Sequence, residues 1–204
     1  MDASADTYKT LAKPSKEILH KEKKSKFFGY AFPLDKEREV KPIIEDLKRK
    51  HTVANHFCYA WQLGVKDVAY RANDDGEPNN SAGMPIYGQI QAFGVTNVLI
   101  VVARVFGGTK LGVGGLISAY KTTAQMTLEA SKIVDRTQKQ KLLASFAYKD
   151  MDVVMRTIKQ RQLHIVSQKM ELDCELVVSV RKRDVEKVLR VFEGIYGVAI
   201  KKLG

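Results

Sequence analysis

The sequence predicts an α+β protein of two domains, residues 1–136 and 137–204, on three observations. Over Asn97–Ala130 a β-branched run, a loop carrying five glycines and a long amphipathic segment follow one another, which reads as buried strand, turn and helix. Past Arg136 the pattern changes to short strands and helices in the order βαββαβ, the split βαβ or ferredoxin-like arrangement. The composition, 45% hydrophobic and 28% charged over 204 residues, is that of a globular chain long enough to bury a core.

Residues 1–14 read as a polar, mobile lead-in ending at Pro14. Strands are expected over Ser15–His20 and Phe27–Phe32, around the basic run Lys21–Lys26. That run suits a solvated hairpin tip better than a phosphate contact. From Asp35 to His51 the apolar residues Val40, Ile43, Ile44 and Leu47 recur at helical spacing, with Asp35 placed as cap. Lys48, Arg49, Lys50 and His51 crowd its last turn, where cations suit the helix dipole.

The run Asn55–Leu63 alternates. Phe57, Tyr59, Trp61 and Leu63 are expected in the core, while His56, Cys58, Ala60 and Gln62 are expected to line a groove. His56 and Cys58 sit side by side on that second face, but an HxC pair alone is a poor metal or nucleophile signal. Asn73–Gly83 is a loop by composition. Its Asp74, Asp75 and Glu77 are weak candidates for a hard cation such as Mg²⁺. Turn hydrogen bonds and capping of a helix over Ser81–Ala92, by Asn80 or Ser81, are the favoured explanation.

The loop Phe106–Gly115 leads into a helix expected over Leu116–Ser131. It lacks the Gly-Lys-Ser/Thr ending of a Walker A loop, and Ile117 stands where a dinucleotide fingerprint needs its last glycine. General physics still applies: glycines permit close backbone approach, and helix starts attract anions. The candidate anion or nucleic-acid-binding set is therefore Arg104, Gly107, Gly108, Lys110, Gly112, Gly114 and Gly115, with His56 and Lys121. The competing reading is that the glycines only let the chain turn and the helix pack tightly on the sheet.

In the second domain, strands are expected over Gln138–Tyr148, Leu163–Met170, Cys174–Val180 and Gly197–Lys202. Helices are expected over Asp150–Gln162, capped by Asp150, and Asp184–Glu193. Arg181, Lys182 and Arg183 form a secondary basic patch before the second helix, and His164 reads as structural. No aromatic motif of the ribonucleoprotein type is present, so stacking of RNA on the sheet face is not expected.

The net charge is +11, from 34 basic and 23 acidic residues. The last 68 residues carry 14 of the basic and 8 of the acidic ones, so the second domain is the more basic per residue. Such a balance favours contact with nucleic acid, the ribosome or another anionic surface. The two cysteines, Cys58 and Cys174, lie far apart and outside any CxxC pair, which argues for reduced thiols in a cytoplasm. No apolar run is long enough for a membrane span, and the first residues lack the apolar core of a signal peptide.

One set of motifs, in order along about a hundred residues, resembles the Impact family in its bacterial two-domain (YigZ-type) form. These are Ser25-Lys26-Phe27, His56-x-Cys58-x-Ala60, Asp74-Asp75-Gly76-Glu77-Pro78, Ala82-Gly83-x-Pro85-Ile86 and Asn97. They continue through Val101-Val102-x-Arg104, Phe106-Gly107-Gly108-x-Lys110-Leu111-Gly112 and Gly114-Gly115-Leu116-x-x-Ala119-Tyr120. Three positions depart from the family pattern: Val105 replaces an aromatic residue, Ser118 an arginine, and Asn79-Asn80-Ser81 the usual Ser-Gly-Thr. The resemblance implies a ribosomal protein S5 domain 2-like fold for residues 1–136. It also implies a likeness of residues 137–204 to the C-terminal domain of elongation factor G. Eukaryotic relatives are associated with regulation of translation initiation.

These readings favour a non-enzymatic cytoplasmic protein that contacts RNA, the ribosome or translation factors, with no cofactor and no membrane contact. The oligomeric state stays open. The rival from another class is an enzyme acting on a small phosphorylated or nucleotide ligand, since the S5-like fold also occurs in small-molecule kinases of the GHMP group. A pure protein-interaction module is the third reading.

Overall fold

The computed structural model describes residues 6–203, which form two compact units, 8–136 and 137–203 with Asp6 and Thr7. The first unit is built on a five-stranded antiparallel sheet ordered β2-β3-β6-β4-β5. These strands are β2 (Ile18–Glu22), β3 (Ser25–Pro33), β4 (His56–Leu63), β5 (Ala69–Asn73) and β6 (Val98–Val105). Its helices are α1 (Val40–Lys50), α2 (Gly83–Ala92) and α3 (Gly112–Glu129).

The central strand β6 reads VLIVVARV and is buried along nearly its whole length, because both faces of the sheet are covered. Val98, Ile100 and Val102 join Cys58, Ala60 and residues of α2 and α3 in one core cluster. Leu99, Val101 and Ala103 join Phe57, Trp61, Val40 and Leu47 in another, beneath α1. Fully burying a side chain of this size contributes roughly 1.5–3 kcal/mol, so these two layers hold the unit together.

The structure corrects several expectations. The basic run is a hairpin tip as expected, with Lys23 and Lys24 both at positive φ (43° and 69°) in a two-residue turn between β2 and β3. The lead-in is not free: Thr7–Leu11 forms β1, paired with β7 (Ile133–Thr137) in a separate two-stranded sheet, while residues 1–5 lie outside the described residues. TYKTL is short and half polar, so it carries little strand signal of its own. Asp35 does not cap α1; a 3-10 turn at Glu37–Glu39 precedes the helix, and no side chain caps it. On the face of β4 assigned to a groove, Cys58 and Ala60 are instead core, fully buried under α2 and α3, while His56 and Gln62 are half-buried. Alternation cannot separate the two faces of a strand when each has a helix above it.

The second unit runs β8 (Lys139–Ala147), α4 (Met151–Gln160), β9 (His164–Lys169), β10 (Asp173–Arg181), α5 (Val185–Glu193) and β11 (Val198–Lys202). Its antiparallel sheet is ordered β11-β8-β10-β9. Alternate residues Leu142, Ala144 and Phe146 of β8 and Cys174, Leu176, Val178 and Val180 of β10 are buried. They pack on Val154 and Ile158 of α4 and on Val185, Val188 and Phe192 of α5. Asp150 precedes α4 but makes no side-chain cap.

Candidate functional site

The glycine loop joins β6 to α3, and its two ends are pinned in different ways. Gly107 lies against the β2–β3 hairpin so closely that a Cβ there would stand 2.1 Å from the Lys24 carbonyl carbon. Its N–H donates to Ser25 Oγ (3.1 Å), and the preceding Phe106 N–H donates to Asn55 Oδ1 (3.0 Å). These two amides are therefore occupied, which removes Gly107 from the anion-binding set. Gly108 is exposed and follows the pinned pair.

At the other end α3 begins at Gly112, four residues earlier than its sequence suggests, so Gly112, Gly114 and Gly115 are helical residues rather than loop. Gly112 has φ +71°, a left-handed value that lets the chain turn into the helix. Leu111 packs into the core just before it and fixes the helix start. The first N–H groups of a helix have no partner within it, and no side chain caps α3. Gly112, Val113 and Gly114 are exposed there, beside the exposed Lys110, which has no ion-pair partner among the described residues. Lys121 is exposed further along the helix and does not line the same cavity.

Beneath this helix start is a cavity of about 420 Å³ lined by Asn55, His56, Arg104, Phe106, Lys110 and residues of α3's first turn. His56 Nδ1 is 2.8 Å from the Asp75 carbonyl oxygen, which can only accept, so the ring proton sits on Nδ1 and Nε2 remains for a ligand. Phe106 is 44% exposed and offers an aromatic face.

Arg104 has a different role from the one its sequence position suggests. It is buried, and its Nη1 donates to Glu77 Oε1 at 2.7 Å, with both side chains less than 10% exposed. Its guanidinium carbon lies 5.5 Å from the ring centres of both Phe27 and Phe106, and its Nε has no hydrogen-bond partner. Tyr120 donates to the same Glu77 oxygen at 2.8 Å, and Cys58 Sγ lies 3.3 Å from the Tyr120 hydroxyl. Burial pushes both the Tyr120 phenol and the Cys58 thiol well above their ordinary ranges, so both stay protonated. A thiol held in that form is a poor nucleophile or metal ligand. Arg104 thus anchors the cavity floor and is already neutralised.

The acidic loop is structural in the same sense. Asp74 Oδ1 accepts the N–H groups of Ala82 (2.9 Å) and Gly83 (2.8 Å), and Oδ2 that of Asn80 (2.9 Å). Asp74 therefore caps α2, which begins at Gly83, from eight or nine residues upstream; Asn80 and Ser81 do not. Asp75 Oδ2 accepts the Phe57 N–H at 2.6 Å, and Glu77 holds Arg104 and Tyr120. Among the described residues no cluster of three or more metal-ligating side chains occurs.

The match with a known family falls on this unit. Residues 23–128, just over half of the chain, match the Impact N-terminal domain. The chain belongs to the Impact family. It is 37% identical over 113 residues to the IMPACT family member YvyE of Bacillus subtilis, covering 55% of this chain and 52% of that protein. With the IMPACT family member YigZ of Escherichia coli it shares 36% identity over 105 residues, covering 50% of this chain and 52% of that one. The chain thus spans about half the length of these curated relatives. A crystal structure of a hypothetical protein superposes with a TM-score of 0.71 at 23% identity, covering 98% of this chain and 97% of that one, a likeness of fold. The family-matched stretch contains the whole Glu77–Arg104–Tyr120 network and the cavity above it. No helix among the described residues is long and apolar enough to cross a membrane.

In the second unit the secondary patch is divided. Arg181 is clamped by Asp6 (Nη2–Oδ1 2.9 Å, Nε–Oδ2 3.3 Å), which holds that carboxyl below its usual range. Arg183 is 3.8 Å from Asp184, and Lys182 is exposed with no ion-pair partner among the described residues. His164, read as structural, is exposed.

Proposed function

We propose that this Impact-family chain is a non-enzymatic, cytoplasmic, translation-associated protein that contacts RNA, the ribosome or a translation factor. In this reading the first unit has the S5 domain 2-like fold. The second is ferredoxin-like, which its strand order β11-β8-β10-β9 supports. The observation that carries the functional reading is the cavity under the start of α3. There Gly112 and Val113, at the uncapped start of the helix, share the lining with Lys110, His56 and the exposed ring of Phe106, and Gly114 follows them in the same exposed turn. Helix amides and a lysine suit a phosphate, and an exposed phenyl ring suits an unpaired base. Arg104 supports this surface from below through Glu77 and Phe106 rather than touching phosphate itself.

Contacts of this kind weaken steeply with salt. Filter binding of single-stranded RNA across a salt series tests the reading. Affinity that falls with salt, and falls further in Lys110→Ala, supports it; no affinity for RNA or ribosomes at low salt removes it.

One observation favours the rival reading of an enzyme for a small phosphorylated or nucleotide ligand: the cavity, at about 420 Å³, lies within the roughly 300–1,000 Å³ of small-molecule sites. Thermal stabilisation by one member of a nucleotide panel would favour it. The carboxylates that would hold Mg²⁺ for such a reaction are spent on capping α2 (Asp74), on the Phe57 N–H of β4 (Asp75) and on Arg104 (Glu77).

A further inference from the structure

The second unit has a cavity of its own, of about 440 Å³, between the end of α4, the start of α5 and the adjoining ends of β9 and β10. Four cations line it: Lys139, Arg161, Arg181 and Lys187, together with His164 and Ser179. A single carboxylate, Asp184, faces them from the same lining. Lys139, Arg161 and Lys187 are exposed and have no ion-pair partner among the described residues. Arg181 is held rigidly by Asp6 through Nε and one Nη, which leaves its remaining donors for another acceptor. Setting Asp184 and Asp6 against the four cations leaves a surplus of two positive charges around one concavity. Leu163, Val180 and Val188 add apolar surface to its lining, so an occupant would be partly withdrawn from water. Like charges gathered in this way repel unless an anion sits among them, and a concave low-dielectric wall strengthens the attraction.

We propose that this cavity is a binding site for closely spaced phosphate groups, with Lys139, Arg161 and Lys187 as the contacting cations and Arg181 as a pre-set one. The site lies wholly within residues 139–188 and shares no residue with the cavity under α3. Two sources carry that chemistry: consecutive phosphates of an RNA strand, and a free oligophosphate.

The test is run on the full chain with two probes, single-stranded RNA and inorganic tripolyphosphate. The variant is Arg161→Ala/Lys187→Ala, and the control of equal charge is Lys149→Ala/Lys201→Ala, whose residues are exposed and do not line the cavity. The cavity variant is expected to bind RNA about tenfold more weakly at low salt. The slope of log affinity against log salt should be shallower by about 1.4, since each lost single-strand phosphate contact removes about 0.7. The control should change less than threefold. Tripolyphosphate binding that disappears in the same variant identifies a free oligophosphate as an occupant, whereas a response with RNA alone assigns the site to the strand. Equal weakening in both double variants, or no binding of either probe that depends on Arg161 and Lys187, overturns the proposal. Binding of both probes that survives in this variant, with RNA binding lost in Lys110→Ala, would overturn it while leaving the reading of the first unit intact.

Discussion

Arg104 Nη1 lies 2.7 Å from Glu77 Oε1, and the two buried side chains meet across 27 positions of sequence at the floor of the cavity under α3. Tyr120 donates to the same oxygen, so three segments of the first unit are tied at a single carboxylate. A buried pair of this kind adds little to stability over an apolar replacement, but breaking it strands a charge. Glu77→Ala is therefore expected to destabilise the protein by about 3–5 kcal/mol, read by urea denaturation. Replacing both partners, as Glu77→Leu with Arg104→Met, should be less damaging than the sum of the single changes. Additive losses would mean that the two residues act separately.

The glycines of the loop should separate by role. Gly107→Ala puts a methyl group into the Lys24 backbone and is expected to destabilise by about 2–3 kcal/mol, through overpacking. Gly114→Ala meets nothing within 4 Å and sits inside α3, where alanine gains up to about 1 kcal/mol over glycine. If the helix start receives phosphate, the same change weakens RNA binding while the melting temperature holds or rises. A loss of both together would return Gly114 to a packing role.

Asp74 accepts three backbone N–H groups at the start of α2. Asp74→Ala should cost about 1–2 kcal/mol, as lost helix caps do. Added Mg²⁺ should leave the melting temperature of the parent protein unchanged. A rise with Mg²⁺ that Asp74→Ala abolishes would show that the loop holds a cation.

Tyr30, Glu17, His51 and Lys50 form a titratable cluster on the α1 side of the sheet, with the Tyr30 hydroxyl between Glu17 and the His51 ring. Burial, then the Glu17 carboxylate, pushes Tyr30 up to about 12, so it stays protonated. Burial lowers His51 below its ordinary 6.5, and the Lys50 and Tyr30 hydrogen bonds lower Glu17 below 4.5. His51 and Glu17 each bind fewer protons folded than unfolded between their two values, so stability rises with pH across those windows, whereas the raised Tyr30 makes stability fall as pH rises from about 10 towards 12. Melting temperature is thus expected to hold between about pH 6.5 and 10 and to fall below that range as His51 is forced to protonate, with a second fall below about pH 4.5 from Glu17. His51→Gln should flatten the first fall alone, and a profile identical to the parent's would remove His51 as its cause.

Much of the second unit is legible in the sequence because β8 and β10 each bury one face: alternate residues such as Leu142, Ala144 and Phe146 point inward. In the first unit, β6 and β4 are covered on both sides, and periodicity there wrongly assigns Cys58 and Ala60 to a groove. Arg104 stands in a strand buried on both faces, and such a cation needs a partner. Nothing local says that the partner is Glu77, which lies 27 positions away in the loop before α2. The sequence places the start of α3 late because Gly112, Gly114 and Gly115 are poor helix formers by propensity, and tertiary packing of Leu111 and Leu116 overrides it. The strand β1 leaves almost no trace, being five residues held by a distant partner.

The central claim is that the amides at the start of α3 receive phosphate. Amide chemical shifts of ¹⁵N-labelled protein, followed during titration with single-stranded RNA at low salt, test it most directly. The expected result is that Gly112, Val113 and Gly114 move and saturate with the Lys110 amide, while Phe106 and Gly107, already bonded to Asn55 and Ser25, move little. RNA that binds while the Gly112–Gly114 resonances stay still would contradict it.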